Sequence, residues 1–246
     1  MTTAGSPTLE FLLNVALTHG ARGVAPGRPL PRSPIEIPDC GRLDLAAWFQ
    51  LLGFRRGVEV GVKEGDYSVA LLEANPDLHL WSVDPWLVRE EYHDRRGQPV
   101  FDDYESTARR SLGAFGVRSE ILKERSAEAH LRFGRRSLDF VYIDGHHNLY
   151  NVIHDLHVWS GRVRPGGIVA GHDFARYKNQ AMHVVQGVHA YTDAYLIAPW
   201  FVLGTKAKVE GQTRDRHRSF AWVRPGYEAD MRDYDPTKGG LAVMPE

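Results

Sequence analysis

Two short segments of this chain, IDGHH and GHDF, carry side chains that bind metal ions and move protons. Asp144 and His147 lie in the first segment, and His172 and Asp173 lie in the second. Carboxylate oxygens suit Mg²⁺ or Mn²⁺, and an imidazole has a pKa near neutrality that allows it to accept a proton. A divalent cation also lowers the pKa of a hydroxyl bound to it and fixes the hydroxyl's position. The four residues therefore indicate a site that binds a divalent cation and moves a proton.

A glycine turn, VEVGVKEGDYS at residues 58–68, precedes these segments. Gly61 and Gly65 stand between an apolar strand and an apolar helix, and glycine lets a backbone approach a nucleotide-like ligand closely. Asp84 follows the glycines by about 20 residues, where a carboxylate can bind both hydroxyls of a ribose. This spacing predicts a nucleotide-like cofactor.

The charge of the turn separates two classes of cofactor. NAD needs a helix N-terminus for its pyrophosphate and a further glycine for close helix packing, and that glycine is missing here. Glu59, Glu64 and Asp66 would repel a pyrophosphate. The same carboxylates favour a sulfonium and an α-amino group, so the turn favours S-adenosylmethionine.

Alternating strand-like and helix-like segments must position these residues, and they predict a parallel α/β sheet with helices on both faces. In such sheets ligands gather at the carboxyl ends of the strands, and Asp84, Asp144 and Asp173 all fall at predicted strand ends. Neighbouring strands lie about 4.8 Å apart, so Asp144 and Asp173 can converge on one ion. We expect a Rossmann-like, seven-stranded, mostly parallel sheet. Its strands are predicted at 57–62, 78–83, 117–122, 138–143, 167–171, 195–204 and 219–223, and its helices at 43–52, 67–74, 101–115, 149–163 and 178–190.

The last two strands are joined by a polar loop without a crossover helix, which predicts antiparallel pairing at the far end of the sheet. The domain spans residues 41–224, and a polar tail follows at 225–246. Residues 1–40 are expected to form an N-terminal extension, with a short amphipathic helix at 9–17 and a loop rich in Gly, Pro and Arg. Such an extension suits a lid, an oligomer contact or a segment that only follows the surface.

Three segments resemble class I S-adenosylmethionine-dependent methyltransferases. The E-V-G-x-x-x-G turn at 59–65 resembles the first motif of that superfamily, and VDPW at 83–86 resembles the second. The stretch IDGHHNLYNVIHDLHVWSGRVRPGGIVAGHDF at 143–174 resembles metal-dependent O-methyltransferases of the natural-product and sugar-tailoring group. The resemblance covers about residues 41–224 and implies the class I methyltransferase fold.

The resemblance implies how the cofactor is held. Glu59 would face the methionine amino group, Asp84 would bind the ribose diol, and Asp144 would serve both the cofactor site and the metal site. The remaining implied contacts, along the methionine, ribose and adenine portions, are Gly61, Gly65, Pro85, Trp86 and Ser126. Two structural alternatives stay open: Glu59 as a carboxylate bonded to nearby backbone, and Ser126 as a plain helix N-cap.

The resemblance also implies a catalytic group and a set of metal ligands. His147 stands at the spacing that carries the general base, with His146 as its competitor. Asp144, His172 and Asp173 would bind the metal, although the family usually has two consecutive carboxylate or amide ligands where the pair His172-Asp173 stands. An imidazole ligand shifts the preference towards Mn²⁺, Fe²⁺ or Zn²⁺. Because successive strand residues point to opposite faces, both members of this pair reach one cleft only if the strand ends before them.

The helix after the site carries further polar residues. His154 and His157 are expected at the surface or partly buried, and Asp155 is expected to face solvent. Asp144 has a structural alternative as a cap of this helix's N-terminus.

Composition limits the classes of partner. The 246 residues carry a formal net charge of −1, so no overall field favours nucleic acid or an anionic membrane. A single cysteine excludes an internal disulfide, and the sequence shows neither a signal peptide nor an apolar run of membrane-spanning length. We therefore expect a cytoplasmic protein without nucleic-acid or membrane partners, and a homo-oligomer is compatible with the sequence.

Together these features predict transfer of a methyl group from S-adenosylmethionine to a hydroxyl of a small molecule, with divalent metal assistance from Mg²⁺ or Mn²⁺. The resemblance implies a sugar or another vicinal-diol acceptor of secondary metabolism. The alternatives are a metal-free methyltransferase with a histidine base, an NAD-dependent oxidoreductase and a non-catalytic binding module of the same fold. Residues 89–99, the N-terminal arm and residues 206–218 are expected to line the acceptor pocket.

Overall fold

The strands form one eight-stranded sheet in a computed structural model that describes residues 6–88, 97–176, 182–204 and 217–226. In chain order they are β1 (Ile35–Ile37), β2 (Arg56–Val60), β3 (His79–Val83), β4 (Ser119–Leu122), β5 (Leu138–Ile143), β6 (Val163–Gly171), β7 (Phe201–Leu203) and β8 (Ser219–Val223). Their order across the sheet is β1-β7-β8-β6-β5-β2-β3-β4. Strand β8 runs antiparallel to β6 and β7, and the other described pairs are parallel. The α/β class and the Rossmann-like, mostly parallel sheet are therefore confirmed, as is the antiparallel pairing of the last two strands.

Helices cover both faces of the sheet, as the strand pattern predicts. They are α1 (Pro7–Thr18), α2 (Arg42–Leu51), α3 (Asp66–Ala74), α4 (Gln98–Gly113), α5 (Ser126–Ala129), α6 (Leu149–Ser160) and α7 (Val184–Ala194). Helices α1–α4 share one core with Phe140 and Tyr142 of β5, and α5–α7 share the other core with Val141 and Ile143. Because neighbouring residues of β5 enter opposite cores, this central strand is apolar on both sides. Within the described ranges, each helix is too short or too polar to span a membrane.

The sheet has one more strand than the seven that the sequence predicts, and this strand belongs to the N-terminal extension. Residues Ile35–Ile37 pair in parallel with β7, with Ile35 opposite Phe201 and Ile37 opposite Leu203. The strand is only three residues long and stands between Pro34 and Pro38, so the surrounding loop composition conceals it. Helix α1 also adds buried side chains to the first core. The extension is thus built into the sheet, and its lid or oligomer role stays a prediction.

Several predicted features lie outside the described residues. These are most of the loop at 89–99, residues 205–216, the tail from 227, and residues 177–181, which include the start of the helix predicted at 178–190.

Backbone hydrogen bonds join the carboxyl ends of neighbouring strands into one edge. The N–H of Gly61 donates to the carbonyl of the last residue of β3 at 2.9 Å, and that of Asp144 donates to the last residue of β2 at 2.7 Å. The N–H of His172 donates to the last residue of β5 at 3.0 Å. The residues that follow β2, β5 and β6 are therefore held side by side.

Glycine is required at position 61, where the chain leaves β2 close to the residue that follows β5. Its φ is +90°, a region that side chains disfavour, and a methyl group on its Cα would overlap the backbone carbonyl of Asp144. Gly53 has a similar φ of +67°, but a methyl group there would meet nothing within 4 Å. The two glycines share the conformational requirement and differ in the space around them.

We expect Gly61→Ala to lower the free energy of unfolding by more than about 3 kcal/mol, since overlap adds to the cost of the positive φ. Gly53→Ala is the matched control and is expected to cost about 1 kcal/mol, the conformational part alone. Urea unfolding of both variants measures the difference. Equal losses would show that the end of β5 moves freely away from the turn.

Candidate active site

The turn between β2 and α3 is held by the carboxylate of Asp84. Oδ2 of Asp84 accepts hydrogen bonds from the N–H groups of Val62 at 2.9 Å and Lys63 at 3.0 Å. Its Oδ1 accepts from the N–H of Trp86 at 2.8 Å. Gly65 follows in the left-handed conformation, with φ +90°, directly before α3. Asp84 thus fixes the shape of the glycine turn, and its role as a ribose ligand stays a prediction.

Trp86 lies underneath this turn. The residue is 1% exposed, and its indole N–H donates to the carbonyl of Lys63 at 2.8 Å. Its φ of +43° is unusual for a bulky residue and turns the chain sharply after β3. Pro85, just before it, is half-buried. The sequence predicts that Trp86 shapes the adenine side; the structure gives its ring a supporting position below the turn.

Glu59 is a buried carboxyl group on β2, next to the first turn of α3. It is 2% exposed and accepts a hydrogen bond from the hydroxyl of Ser68, which also lies 2.8 Å from the hydroxyl of Ser82. Burial raises the pKa of Glu59 to about 8, and the Ser68 hydrogen bond offsets only part of that effect. The partner is therefore a serine hydroxyl rather than the backbone named in the structural alternative. A cation placed beside this carboxyl group would favour its ionised form.

Ser126, predicted near the adenine, begins α5 and ties that helix to α6. Its hydroxyl donates to Oδ1 of Asp155 at 2.6 Å and accepts from the indole N–H of Trp159 at 2.8 Å. Asp155 is 4% exposed, so the expectation that it faces solvent is wrong. Its spacing from Val152 and Trp159 places it on the buried stripe of α6, where a polar residue needs a partner. His154 on the neighbouring face is partly exposed, as expected.

Asp144, His147 and Asp173 come together at the ends of β5 and β6. Each offers one ligand atom, and these atoms all lie within 4.8 Å of one another. Nε2 of His147 lies 3.0 Å from Oδ2 of Asp173 and 3.7 Å from Oδ1 of Asp144. At the start of α7, the N–H of His183 donates to the carbonyl of His147 at 2.7 Å and fixes its backbone. Nδ1 of the competitor His146 instead accepts from the N–H of Asn148 at 3.2 Å.

The geometric condition for the pair His172-Asp173 is fulfilled. Strand β6 ends at Gly171, and Asp173 has a φ of +54°, so the extended alternation has stopped before the pair. Nδ1 of His172 lies 3.5 Å from Oδ2 of Asp144 and 3.9 Å from Oδ1 of Asp173. The three predicted metal ligands are therefore neighbours.

His217 is a member of this cluster that the sequence analysis missed. Its Nδ1 lies 3.9 Å from Oδ1 of Asp173, and its ring lies 6.2 Å from that of His172, centroid to centroid. The residue stands just before β8, and an antiparallel strand begins at the edge where its parallel neighbour β6 ends. The predicted antiparallel pairing could have located it.

The charges of the cluster are coupled. Burial lowers the pKa of His147, but the neighbouring carboxylates Asp144 and Asp173 outweigh it and raise that pKa to about 9. Burial raises the pKa of Asp173, and its contacts with His147, His172 and His217 outweigh this and lower it. Two carboxylates among imidazoles form a donor set that suits a divalent cation. The residues present therefore fit the predicted metal.

Comparison with known proteins identifies the domain. Residues 58–174 match a family model described as a methyltransferase domain. This chain carries a methyltransferase domain. The matched residues run from β2 to Phe174. They include the glycine turn, Asp84 and the segment from Asp144 to His147. Comparison with curated protein sequences gives no match.

Solved structures share the fold of the methyltransferase domain. Rv0187 from MTB, solved with cofactor bound, has a TM-score of 0.52 at 15% identity, over 89% of this chain and 90% of that one. The O-methyltransferase of Bacillus cereus in complex with SAH has a TM-score of 0.50 at 18% identity, over 88% and 90%. The O-methyltransferase TomG of Streptomyces achromogenes, involved in tomaymycin synthesis and solved with SAM, has a TM-score of 0.51 at 16% identity, over 88% and 89%. At these identities the likeness establishes the fold.

The pKa of Glu59 predicts a pH dependence of stability. Between its ordinary value of 4.5 and about 8, the unfolded chain has lost this proton while the folded domain keeps it. The stability that this proton contributes is present below pH 4.5 and is lost as the pH rises through about 8. We expect Glu59→Gln to remove this slope, which amounts to a change on the order of 3 kcal/mol. Urea unfolding between pH 5 and pH 9 measures it, with the exposed residue Glu10 changed to Gln as the control; unchanged slopes in both variants would refute the assignment.

The pKa of His147 gives a second prediction. Asp173→Asn removes one of the two carboxylates that hold the imidazole proton, so the pKa of His147 should fall from about 9 by more than about one unit. Titration of the imidazole carbon resonances by NMR in metal-free buffer measures it. The His79 ring, at the start of β3 and the opposite edge of the sheet, is the internal reference. An unchanged His147 titration would mean that Asp173 does not hold the proton.

Proposed function

We propose that this protein transfers the methyl group of S-adenosylmethionine to a hydroxyl oxygen of a small molecule, with His147 as the general base. One observation carries the proposal: in a methyltransferase domain, Nε2 of His147 lies 3.0 Å from the Asp173 carboxylate, at the sheet edge that also holds the glycine turn. The structural neighbours from Bacillus cereus and Streptomyces achromogenes are O-methyltransferases solved with SAH and SAM. Their names support the same reaction class.

The cofactor proposal is supported by charge. Glu59 lies below the turn and is neutral in the ligand-free domain, since its pKa is about 8. The α-amino group of S-adenosylmethionine would favour its ionised form, whereas a pyrophosphate would oppose it. Asp84 accepts hydrogen bonds from two N–H groups of the turn. We propose that it also binds the ribose diol, and that Gly61 and Gly65 let the backbone approach the methionine and ribose closely. Pro85, Trp86 and Ser126 then support the adenine side rather than cover it.

In the proposed reaction the acceptor oxygen attacks the methyl carbon in line with the breaking carbon–sulfur bond, and S-adenosylhomocysteine leaves. The hydroxyl proton goes to the imidazole of His147, and the carboxylate of Asp173, which lies 3.0 Å from Nε2, stabilises the imidazolium that forms. His147 must be neutral to accept this proton. A divalent cation held by Asp144 and Asp173 would lower the pKa of both the acceptor hydroxyl and His147, because its charge offsets the two carboxylates.

The acceptor class follows from the metal. Two neighbouring oxygens can chelate one cation, so we propose a vicinal diol, such as a sugar of a secondary metabolite, as the acceptor. The metal-free version of the reaction is the second candidate, because the His147–Asp173 pair is present without an ion; this version requires a pH above about 9, where His147 is neutral.

Calorimetry with S-adenosylmethionine and with NAD tests the cofactor. We expect S-adenosylmethionine to bind with a dissociation constant of about 1–100 µM, the range of many enzyme substrates, and NAD not to bind. Binding of NAD alone would overturn the proposal.

The base is tested with a catechol probe, 3,4-dihydroxybenzoate, and radiolabelled S-adenosylmethionine. His147→Ala should lower methyl transfer by about 10²–10⁴-fold and leave cofactor binding within about twofold, because His147 lies beyond the cofactor turn. His146→Ala is the matched control and should keep most of the activity. Full activity of the His147 variant would remove this residue as the base.

A further inference from the structure

Arg42 is the first residue of α2, and the fold places it at the edge of the sheet that holds the glycine turn. A short connection leads from the end of α2 into β2, so the helix begins at the carboxyl edge of the strands. The backbone is fixed there, because the N–H of Gly41 donates to Oδ2 of Asp44 at 2.7 Å and the hydroxyl of Tyr67 donates to the carbonyl of Arg42 at 2.9 Å. Since Tyr67 stands in the first turn of α3, this bond ties Arg42 to the residues that follow the glycine turn.

The guanidinium of Arg42 lies against the ring of Tyr67 and acts on the buried acid under the turn. Its Cζ is 5.3 Å from the centre of that ring, which in turn packs against the ring of Tyr142 with 4.3 Å between the centres. Burial raises the pKa of Glu59, and both the hydrogen bond from Ser68 and the charge of Arg42 oppose this rise. Burial also holds the pKa of Tyr142 well above its usual value, and the charge of Arg42 opposes that shift too. A positive group is therefore close to Glu59.

We propose that Arg42 binds the α-carboxylate of S-adenosylmethionine, while Glu59 binds the α-amino group. This inference rests on the proposed methyl transfer and adds a cofactor-binding residue to it. Arg42 lies in α2, before the residues 58–174 that match the methyltransferase model. The segment that precedes the matched domain would therefore take part in binding the methyl donor.

The two side chains have the charges that an α-amino acid group requires. Such a group carries an ammonium and a carboxylate on one carbon atom, so its binding site needs one anion and one cation close together. A guanidinium can donate two parallel N–H bonds to a carboxylate, and these charge-assisted bonds are stronger than neutral ones. Glu59 alone would favour any cation, whereas Glu59 together with Arg42 selects a ligand that carries both charges.

Lys63, within the turn itself, is the rival for the carboxylate. Its ammonium lies 2.9 Å from the carboxylate of Glu64 and 5.0 Å from the centre of the Tyr104 ring, and its side chain is 60% exposed. Tyr104 belongs to α4, so the two cations are held by different helices. Because the Lys63–Glu64 pair is exposed to water, its loss should cost little stability. Lys63→Gln is therefore a matched control for Arg42→Gln.

Calorimetry of the full-length protein with two ligands tests the assignment. The ligands are S-adenosylmethionine and its decarboxylated form, which keeps the sulfonium and the amino group. Arg42→Gln should weaken binding of S-adenosylmethionine about 10–100-fold and leave binding of the decarboxylated form within about twofold, because only the first ligand has a carboxylate to lose contact with. Glu59→Gln should weaken both ligands, and Lys63→Gln should weaken neither. Equal effects of Arg42→Gln on the two ligands, or a loss in the Lys63 variant instead, would overturn the proposal.

Two further measurements protect the test against misfolding. Thermal unfolding of the Arg42 variant shows whether the domain stays intact. In the unsubstituted protein, the NMR resonance of the Arg42 Nε–H, assigned by its loss in the variant, should shift with S-adenosylmethionine and not with the decarboxylated form. The same response to both ligands would contradict the proposal without any change in the protein's binding site. If S-adenosylmethionine binds without any dependence on Arg42, this inference fails and the proposed function stands; if S-adenosylmethionine does not bind at all, the proposed function fails.

Discussion

Two acidic side chains at the ends of adjoining strands lie close together and are largely shielded from water. Strands β5 and β6 pair in parallel up to Ile143 and Gly171, so the carboxylates of Asp144 and Asp173, only 20% and 11% exposed, are brought together by the sheet itself. Like charges in such a site repel strongly unless a positive group lies between them. The rest of the cluster follows from this constraint: the imidazoles surround the pair, and the proton on His147 is held unusually tightly.

Burial also disfavours a negative charge at the glycine turn, but there the carboxyl group is neutral instead of paired with a positive group. Glu59 lies under the glycine turn, bonded to the Ser68 hydroxyl, and keeps its proton because burial outweighs both that hydrogen bond and the charge of Arg42. One acidic site in this domain is thus neutral and the other is paired with charged imidazole. A positive charge brought close to either site would be stabilised by its carboxyl groups. The edge of the sheet places them on adjacent strands, β2 and β5, where a methyl donor and an acceptor would have to meet.

The sequence was informative where a single segment carries the whole signal. The glycine turn, the strand ends at Asp84 and Asp144, and the convergence of Asp144 with Asp173 all follow from local pattern plus the rule that parallel strands align their carboxyl ends. The sequence was less informative where the position of a side chain depends on a contact with a residue far away in the chain. The sequence predicts that Asp155 faces solvent, but its carboxylate accepts a hydrogen bond from Ser126. The sequence also predicts that Trp86 shapes the adenine side, but its indole N–H donates to the carbonyl of Lys63 in the turn above it. The strand Ile35–Ile37 was missed because three residues between prolines carry no periodicity.

Strand β8 sits between β6 and β7, which do not pair with each other. Until it inserts, both neighbours present open backbone edges, the surfaces through which unfinished chains associate wrongly. Its arrival also anchors Arg218 to Glu36 of the first strand at 2.7 Å and brings His217 beside Asp173. A nascent chain would therefore expose two aggregation-prone edges until β8 has docked, and the docking of β8 would complete the sheet and place His217 beside Asp173 in the same event.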